Sequence, residues 1–305
     1  MWQARGGGLF LSQPHLHSLM STNRPTPQIL AFKVPLQSEL AEASLNINHR
    51  TVVQDNYVQN GERYSGIVKV TAQFLVGRRR KFVSLGSGVI IDERHVMTVG
   101  HVVWSMDLGL PVSIRIDKDS RADPNGLDCR YVEAGAVHFQ WADMSSTQND
   151  FAVLRVSTPF HNTKPMEVQT TPTTENALSV DVLGFSTDMP IAVDGEWLGY
   201  LCSSQSQVRY VPSAGPLLDH YGDTEKGASG GPVVWAGRVI ALHRGWGFTD
   251  SAKCNKAVAI NHHGNDLKKF INAIAITIGN TPLEGSQLTQ VGTFMFKDSA
   301  VLCFG

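Results

Sequence analysis

The stretch Gly227-Ala228-Ser229-Gly230-Gly231-Pro232-Val233-Val234 holds a serine between glycines and runs straight into an apolar strand. Glycine tolerates backbone geometry that other residues resist, so Gly227 and Gly230 permit a tight turn that projects Ser229 outward. The same turn swings the N–H groups of Gly227 and Ser229 to one side, and two convergent donors make a pocket for a developing oxyanion. Upstream, Thr98-Val99-Gly100-His101-Val102-Val103 puts a histidine at the end of a strand. Between them, Asn149-Asp150-Phe151-Ala152-Val153-Leu154 puts a carboxylate immediately before another apolar strand. A single histidine at a strand end is usually a satisfied polar residue, and a single Asp there a turn or cap. The order His, Asp, Ser gives the three stretches a joint meaning, because it is one of the orders in which a catalytic triad occurs along a chain.

Outward from these motifs the chain reads as short strands. Residues 67–74 and 81–85 alternate as half-buried strands, with Gly77-Arg78-Arg79-Arg80 as the hairpin turn between them. Further strands are expected at 89–91, 96–99, 112–116, 136–139, 151–156, 180–184, 207–211, 232–235, 239–243 and 257–260, most at the spacing of a sandwich or barrel. A single helix stands out late in the chain. Asn265 or Asp266 caps it, and Leu267, Phe270, Ile271 and Ile274 fall at i, i+3, i+4 and i+7. Residues 1–45, with Gly6-Gly7-Gly8, Pro25 and Pro27, read as an extension, and 278–305 as a tail without assigned structure.

Composition bounds the function classes. The 305 residues are 42% hydrophobic and 17% charged, enough apolar content for a sizeable core and too much for a mainly disordered chain. With 26 Lys+Arg against 27 Asp+Glu the formal charge is -1, so no global field draws nucleic acid or an anionic membrane. Nothing approaches the roughly 18 consecutive apolar residues of a membrane span. The basic run Arg78-Arg79-Arg80-Lys81 reads as a solvated turn between strands. The first twenty residues lack the uninterrupted apolar run of a secretory signal, so the chain is read as not exported by the ordinary route. Cys129, Cys202, Cys254 and Cys303 are scattered without a Cys-x-x-Cys pair and are read as free thiols. His262-His263 has no companion ligands at metal spacing, so no metal or cofactor is assigned.

On the motifs around His101, Asp150 and Ser229 the chain resembles the chymotrypsin-fold, trypsin-like serine endopeptidases over about residues 48–275. Within them it is similar to the glutamyl-endopeptidase and bacterial trypsin-like branch. The similarity lies in Asn48-His49-Arg50-Thr51-Val52-Val53, in Val182-Leu183-Gly184-Phe185, and in Asn255-Lys256-Ala257-Val258-Ala259-Ile260 before the helix. Val102 stands where the animal enzymes carry a disulfide cysteine. The resemblance implies two six-stranded antiparallel β-barrels packed face to face, an all-β fold with a C-terminal helix. It divides the chain into an extension or prosegment (1–47), a first barrel with His101 and Asp150 (48–160), a second barrel with Ser229 and the helix (161–277), and a tail (278–305). It implies peptide-bond hydrolysis of a protein or peptide substrate through His101, Asp150 and Ser229, with Gly227 and Ser229 as the oxyanion hole. Asp143, in a polar loop, is the rival for the acidic role, and Asp150 is preferred for the rigid strand behind it.

Specificity reads less sharply. Asp223, six residues before Ser229, is where trypsin-like enzymes hold a carboxylate for Lys or Arg. Asp223-Thr224 also occurs in the glutamyl branch, and His243 stands where that branch helps bind an acidic side chain. Asp223, Thr224 and His243 are therefore the expected substrate-binding residues, with a lean toward acidic substrates that His243 and Arg244 support. Ala228 stands where many relatives carry the Asp that pairs with a freed N-terminus, so that activation switch is expected to be missing. The competing function class is a catalytically silent protease-fold protein that binds or regulates, and retention of all three triad types weighs against it.

Overall fold

The computed structural model describes residues 29–33, 49–76, 80–122, 128–188, 199–249, 252–279, 292–296 and 300–304. Strands β1 (Ile29–Lys33) and β2 (Thr51–Val52) precede a one-turn helix, α1 (Asp55–Val58). The first barrel is built from β3 (Ile67–Val76), β4 (Arg80–Ile90), β5 (His95–Thr98), β6 (Ser113–Asp117), β7 (Cys129–His138) and β8 (Ala152–Val156). Helix α2 (Gly100–Val103) follows β5, and α3 (Phe139–Met144) follows β7. The second barrel comprises β9 (Thr174–Phe185), β10 (Leu201–Tyr210), β11 (Leu217–His220), β12 (Pro232–Trp235), β13 (Arg238–Thr249) and β14 (Ala252–Ala259). Helix α4 (Leu267–Thr277) and strands β15 (Gly292–Phe296) and β16 (Ala300–Phe304) complete the described elements.

Both barrels close the same way. The first runs β3-β4-β5-β8-β7-β6 and returns to β3, and the second runs β9-β10-β11-β14-β13-β12 and returns to β9. Every one of these pairings is antiparallel. The all-β, two-barrel expectation is thus borne out, and closure removes the sheet edges that would otherwise pair with other chains. Strand β2 adds to β10, and β1, β16 and β15 extend the first sheet from β7.

The strand patterns explain the packing. In β3, Val68, Val70, Ala72 and Phe74 point into the first barrel, as alternation requires. The first half of its other face is buried as well, because the second barrel covers it, and Lys69 lies there with its ammonium 5.5 Å from the Phe185 ring. Burial lowers the pKa of that lysine, and Asp117 and Asp119 oppose the shift. The barrels are fastened by Phe185 N donating to Ser87 Oγ (2.9 Å) and Leu201 N donating to Asp119 Oδ2 (3.1 Å). Helix α4 starts where expected: Asp266 caps it by accepting from the Lys268 and Lys269 amides. It follows the second barrel in the chain but packs on the first, with Phe270 edge-on to Phe151 at 5.0 Å.

The strand bounds differ from the sequence reading chiefly by extension. Strand β7 starts at Cys129 and ends at His138, where α3 begins, so Asp143 lies in a helix rather than a polar loop. Strands β9, β10, β13 and β14 all run several residues beyond their apolar cores, since backbone pairing continues where side chains turn polar. Cys129 and Cys202 are free thiols, as expected. The first twenty residues and the turn at 77–79 lie outside the described residues. Among the described residues no helix is long and apolar enough to cross a membrane.

Candidate active site

His101 is not at a strand end, as the sequence reading has it, but in the single turn of α2 immediately after β5. The turn is closed by Trp104 N donating to Gly100 O at 2.8 Å. Its start is pressed onto α3, where a Cβ on Gly100 would lie 2.5 Å from Trp141 Cδ1. The imidazole meets the Trp141 ring edge-on at 6.2 Å.

Asp150 follows a 3-10 turn, Thr147–Asn149. That turn is held from the far end of the chain: Asn149 Nδ2 donates to His263 O at 2.6 Å and Asn265 Nδ2 to Gln148 O at 2.8 Å. The carboxylate is fully buried and grips His101 at two points. One oxygen accepts the main-chain N–H of His101 at 2.7 Å and the other the ring Nδ1 at 2.7 Å. Burial pushes its pKa up, but the His101 ring, the hydrogen bonds and the Arg244 guanidinium together hold it below the usual range. An ionised carboxylate only accepts, so Nδ1 carries the proton and Nε2 is the accepting nitrogen.

Ser229 sits in the turn between β11 and β12, and its Oγ donates to Arg244 O at 2.8 Å. Gly227 and Gly230 have φ of +92° and +85°. At Gly230 a Cβ would come within 2.2 Å of both Ser87 O and Thr98 Oγ1, so glycine is required sterically as well as conformationally. The amides of Ala228, Gly230 and Gly231 bond Glu225 O, His243 O and Ala228 O. Ser87, on β4 of the first barrel, clamps the turn: its N–H donates to Ser229 O and its Oγ to Gly227 O, both at 2.7 Å. The turn is thereby registered against the barrel that carries His101 and Asp150.

The expected substrate-binding residues all belong to the second barrel: His243 lies on β13, and Asp223 and Thr224 follow β11. His243, on β13, is buried and shares a 3.1 Å hydrogen bond from Nδ1 to Nε2 of the equally buried His220 on β11. Burial pushes His243 well below the ordinary imidazole range and His220 down to about 3, so both rings are neutral near pH 7. Asp223 and half-buried Thr224 follow His220 in the chain. One Asp223 oxygen accepts the main-chain N–H of His49 at 2.8 Å.

Three residues of the site escape the sequence reading. Ser87 lies just ahead of the strand expected at 89–91, His220 lies in β11, where no strand is expected, and Arg244 reads as an anion-binding residue. Arg244 instead turns its guanidinium toward Asp150, with Nε 2.9 Å from Oδ2. The β13–β14 ladder slips by one residue between His243 and Gly245, leaving Arg244 as the extra residue, and such a bulge re-aims its side chain. Among the described residues no cluster of His, Cys, Asp or Glu has the geometry to hold a metal ion.

A sequence profile described as trypsin-like peptidase domain matches residues 86–242. A glutamyl endopeptidase of Staphylococcus epidermidis is 29% identical over 183 residues, 58% of each chain, so the chain spans little more than half the length of this curated relative. Among solved structures, a Glu endopeptidase superposes with a TM-score of 0.54 at 18% identity, covering 72% of this chain and 94% of that one. An inactivated protease paralogue of the scabies mite superposes at 0.50 with 17% identity, over 73% and 96%. These two likenesses bear on the fold alone. The expected resemblance to the trypsin-like serine endopeptidases is borne out by the profile and the relative.

Proposed function

We propose that this chain, which belongs to the trypsin-like peptidase domain family, is a serine endopeptidase that works through an acyl-enzyme formed on Ser229. The observation that carries the reading is the two-point grip of buried Asp150 on His101, with the Ser229 turn registered to the same barrel by Ser87. A serine hydroxyl is a weak nucleophile at neutral pH and needs a base. His101 Nε2 takes the Ser229 proton as Oγ attacks the scissile carbonyl, and Asp150 stabilises the resulting imidazolium. The tetrahedral oxyanion is received by the amides of Gly227 and Ser229, each such donor being worth roughly 3–4 kcal/mol in the transition state. Collapse expels the amine, protonated by His101, and water then repeats the sequence to release the acid.

For the residue before the scissile bond we favour Glu or Asp. One oxygen of the Asp223 carboxylate, the group that would meet a cationic side chain, already accepts from His49. His243 commits Nδ1 to His220, which leaves Nε2 to meet a substrate carboxylate. The test is hydrolysis of a mixed peptide library by the wild-type chain and by Ser229→Ala. A loss of about a thousandfold or more in the variant, with folding intact, supports the enzyme, and equal turnover overturns it.

A further inference from the structure

We propose that Arg244 is a positioning residue of the catalytic cluster, tying the Ser229 end to the Asp150 end and setting the basicity of His101. The inference rests on the endopeptidase reading and adds a residue to its machinery. Arg244 is the bulge residue of β13, so its main chain and side chain serve different partners. Its carbonyl accepts the Ser229 hydroxyl at 2.8 Å. Its guanidinium lies 2.9 Å from Oδ2 of Asp150, the oxygen that also holds His101 Nδ1. The Nε hydrogen is not aligned on that oxygen, so the contact is an ion pair rather than a directed hydrogen bond. The guanidinium also lies 5.9 Å from the Trp141 ring that walls the imidazole, and only about a fifth of the side chain is exposed.

The electrostatic consequence follows from counting charges. Without Arg244, the resting cluster is a buried anion beside a neutral ring, and protonating His101 neutralises it. With Arg244, the resting cluster is already neutral, and protonation leaves one positive charge in a buried site. The cation therefore keeps Asp150 ionised and at the same time disfavours the imidazolium. His101 stays unprotonated, and able to act as base, to lower pH than the same triad without the arginine. The other groups facing His101 do not supply this effect: His243 is buried and neutral, and Trp141 and Ser229 carry no charge near pH 7.

The test follows His101 itself by NMR titration of its imidazole, together with the pH profile of kcat/KM on a fluorogenic peptide. The chains compared are wild type, Arg244→Gln, Arg244→Ser and Arg244→Lys. The two charge-free variants differ in size, so the outcome does not hang on one replacement folding. Removal of the charge should raise the His101 midpoint and the acid limb of kcat/KM by about one pH unit, a tenfold loss of activity on that limb, while Arg244→Lys stays near wild type. An unchanged or lowered midpoint in the charge-free variants overturns the proposal. Because the titration needs no turnover, it judges Arg244 even where hydrolysis is absent, and absent hydrolysis in wild type speaks against the endopeptidase reading instead.

Discussion

Asp150 and His101 meet through two hydrogen bonds of 2.7 Å, one to the histidine main chain and one to its ring. Two-point contact fixes both where α2 begins and which way the imidazole faces, and a ring contact alone would leave the first free. The variant Asp150→Asn keeps the shape but replaces an acceptor-only group by one that also donates, which allows the wrong tautomer of His101. We expect kcat to fall by about four orders of magnitude near neutral pH with little change in KM, as steady-state kinetics on a peptide ester would show.

Ser87 holds the nucleophile turn through two bonds and receives a third from Phe185 N. In Ser87→Ala the hydroxyl's two bonds disappear and leave Gly227 O and Phe185 N buried without it. Urea denaturation should show a loss of about 1–3 kcal/mol. The turn that carries the proposed oxyanion amides also loses its anchor on the Gly227 carbonyl, so kcat should fall more than KM rises.

The His220–His243 pair gives a specificity prediction. On matched peptides with Glu, Gln or Arg before the scissile bond, the wild-type chain should prefer Glu. His243→Ala should cut kcat/KM for the Glu peptide by about 10- to 100-fold and leave the Gln peptide much less affected. Equal losses on both would assign His243 to packing alone.

His138 offers a pH prediction away from the reaction. It ends β7, caps α3 by accepting from Gln140 N at 3.2 Å, and burial pushes its pKa down to about 4. The folded value lies below the ordinary one, so the unfolded chain binds the proton first and stability falls as pH drops from about 6.5 toward 4. The loss from this group is up to about 3 kcal/mol. His138→Asn, which keeps an N-cap acceptor, should flatten the fall in urea midpoint over that window.

The sequence carries the parts of the site that are local. A glycine-serine-glycine turn before a strand, a histidine after one and an aspartate before another each depend on a few neighbouring residues, and the family resemblance they carry implies the two barrels. Arg244, His220 and Ser87 work through relations between strands: a one-residue slip in the β13–β14 ladder, a ring on a strand two places away in the barrel, and a seam between barrels. No window of sequence contains such relations. The misplacement of Asp143 in a loop has a different origin: α3 is only six residues long, too short for a helical period to show, and is fixed by its cap on His138 and by Phe139 and Trp141 packing inward.

The most direct test of the account is labelling with a fluorophosphonate, which bonds to a serine only when a base and an oxyanion pocket act on it together. Mass spectrometry of the treated, folded wild-type chain should find the adduct on Ser229, with none in His101→Ala. A folded wild-type chain that takes no label at Ser229, or takes it equally without His101, would contradict the account.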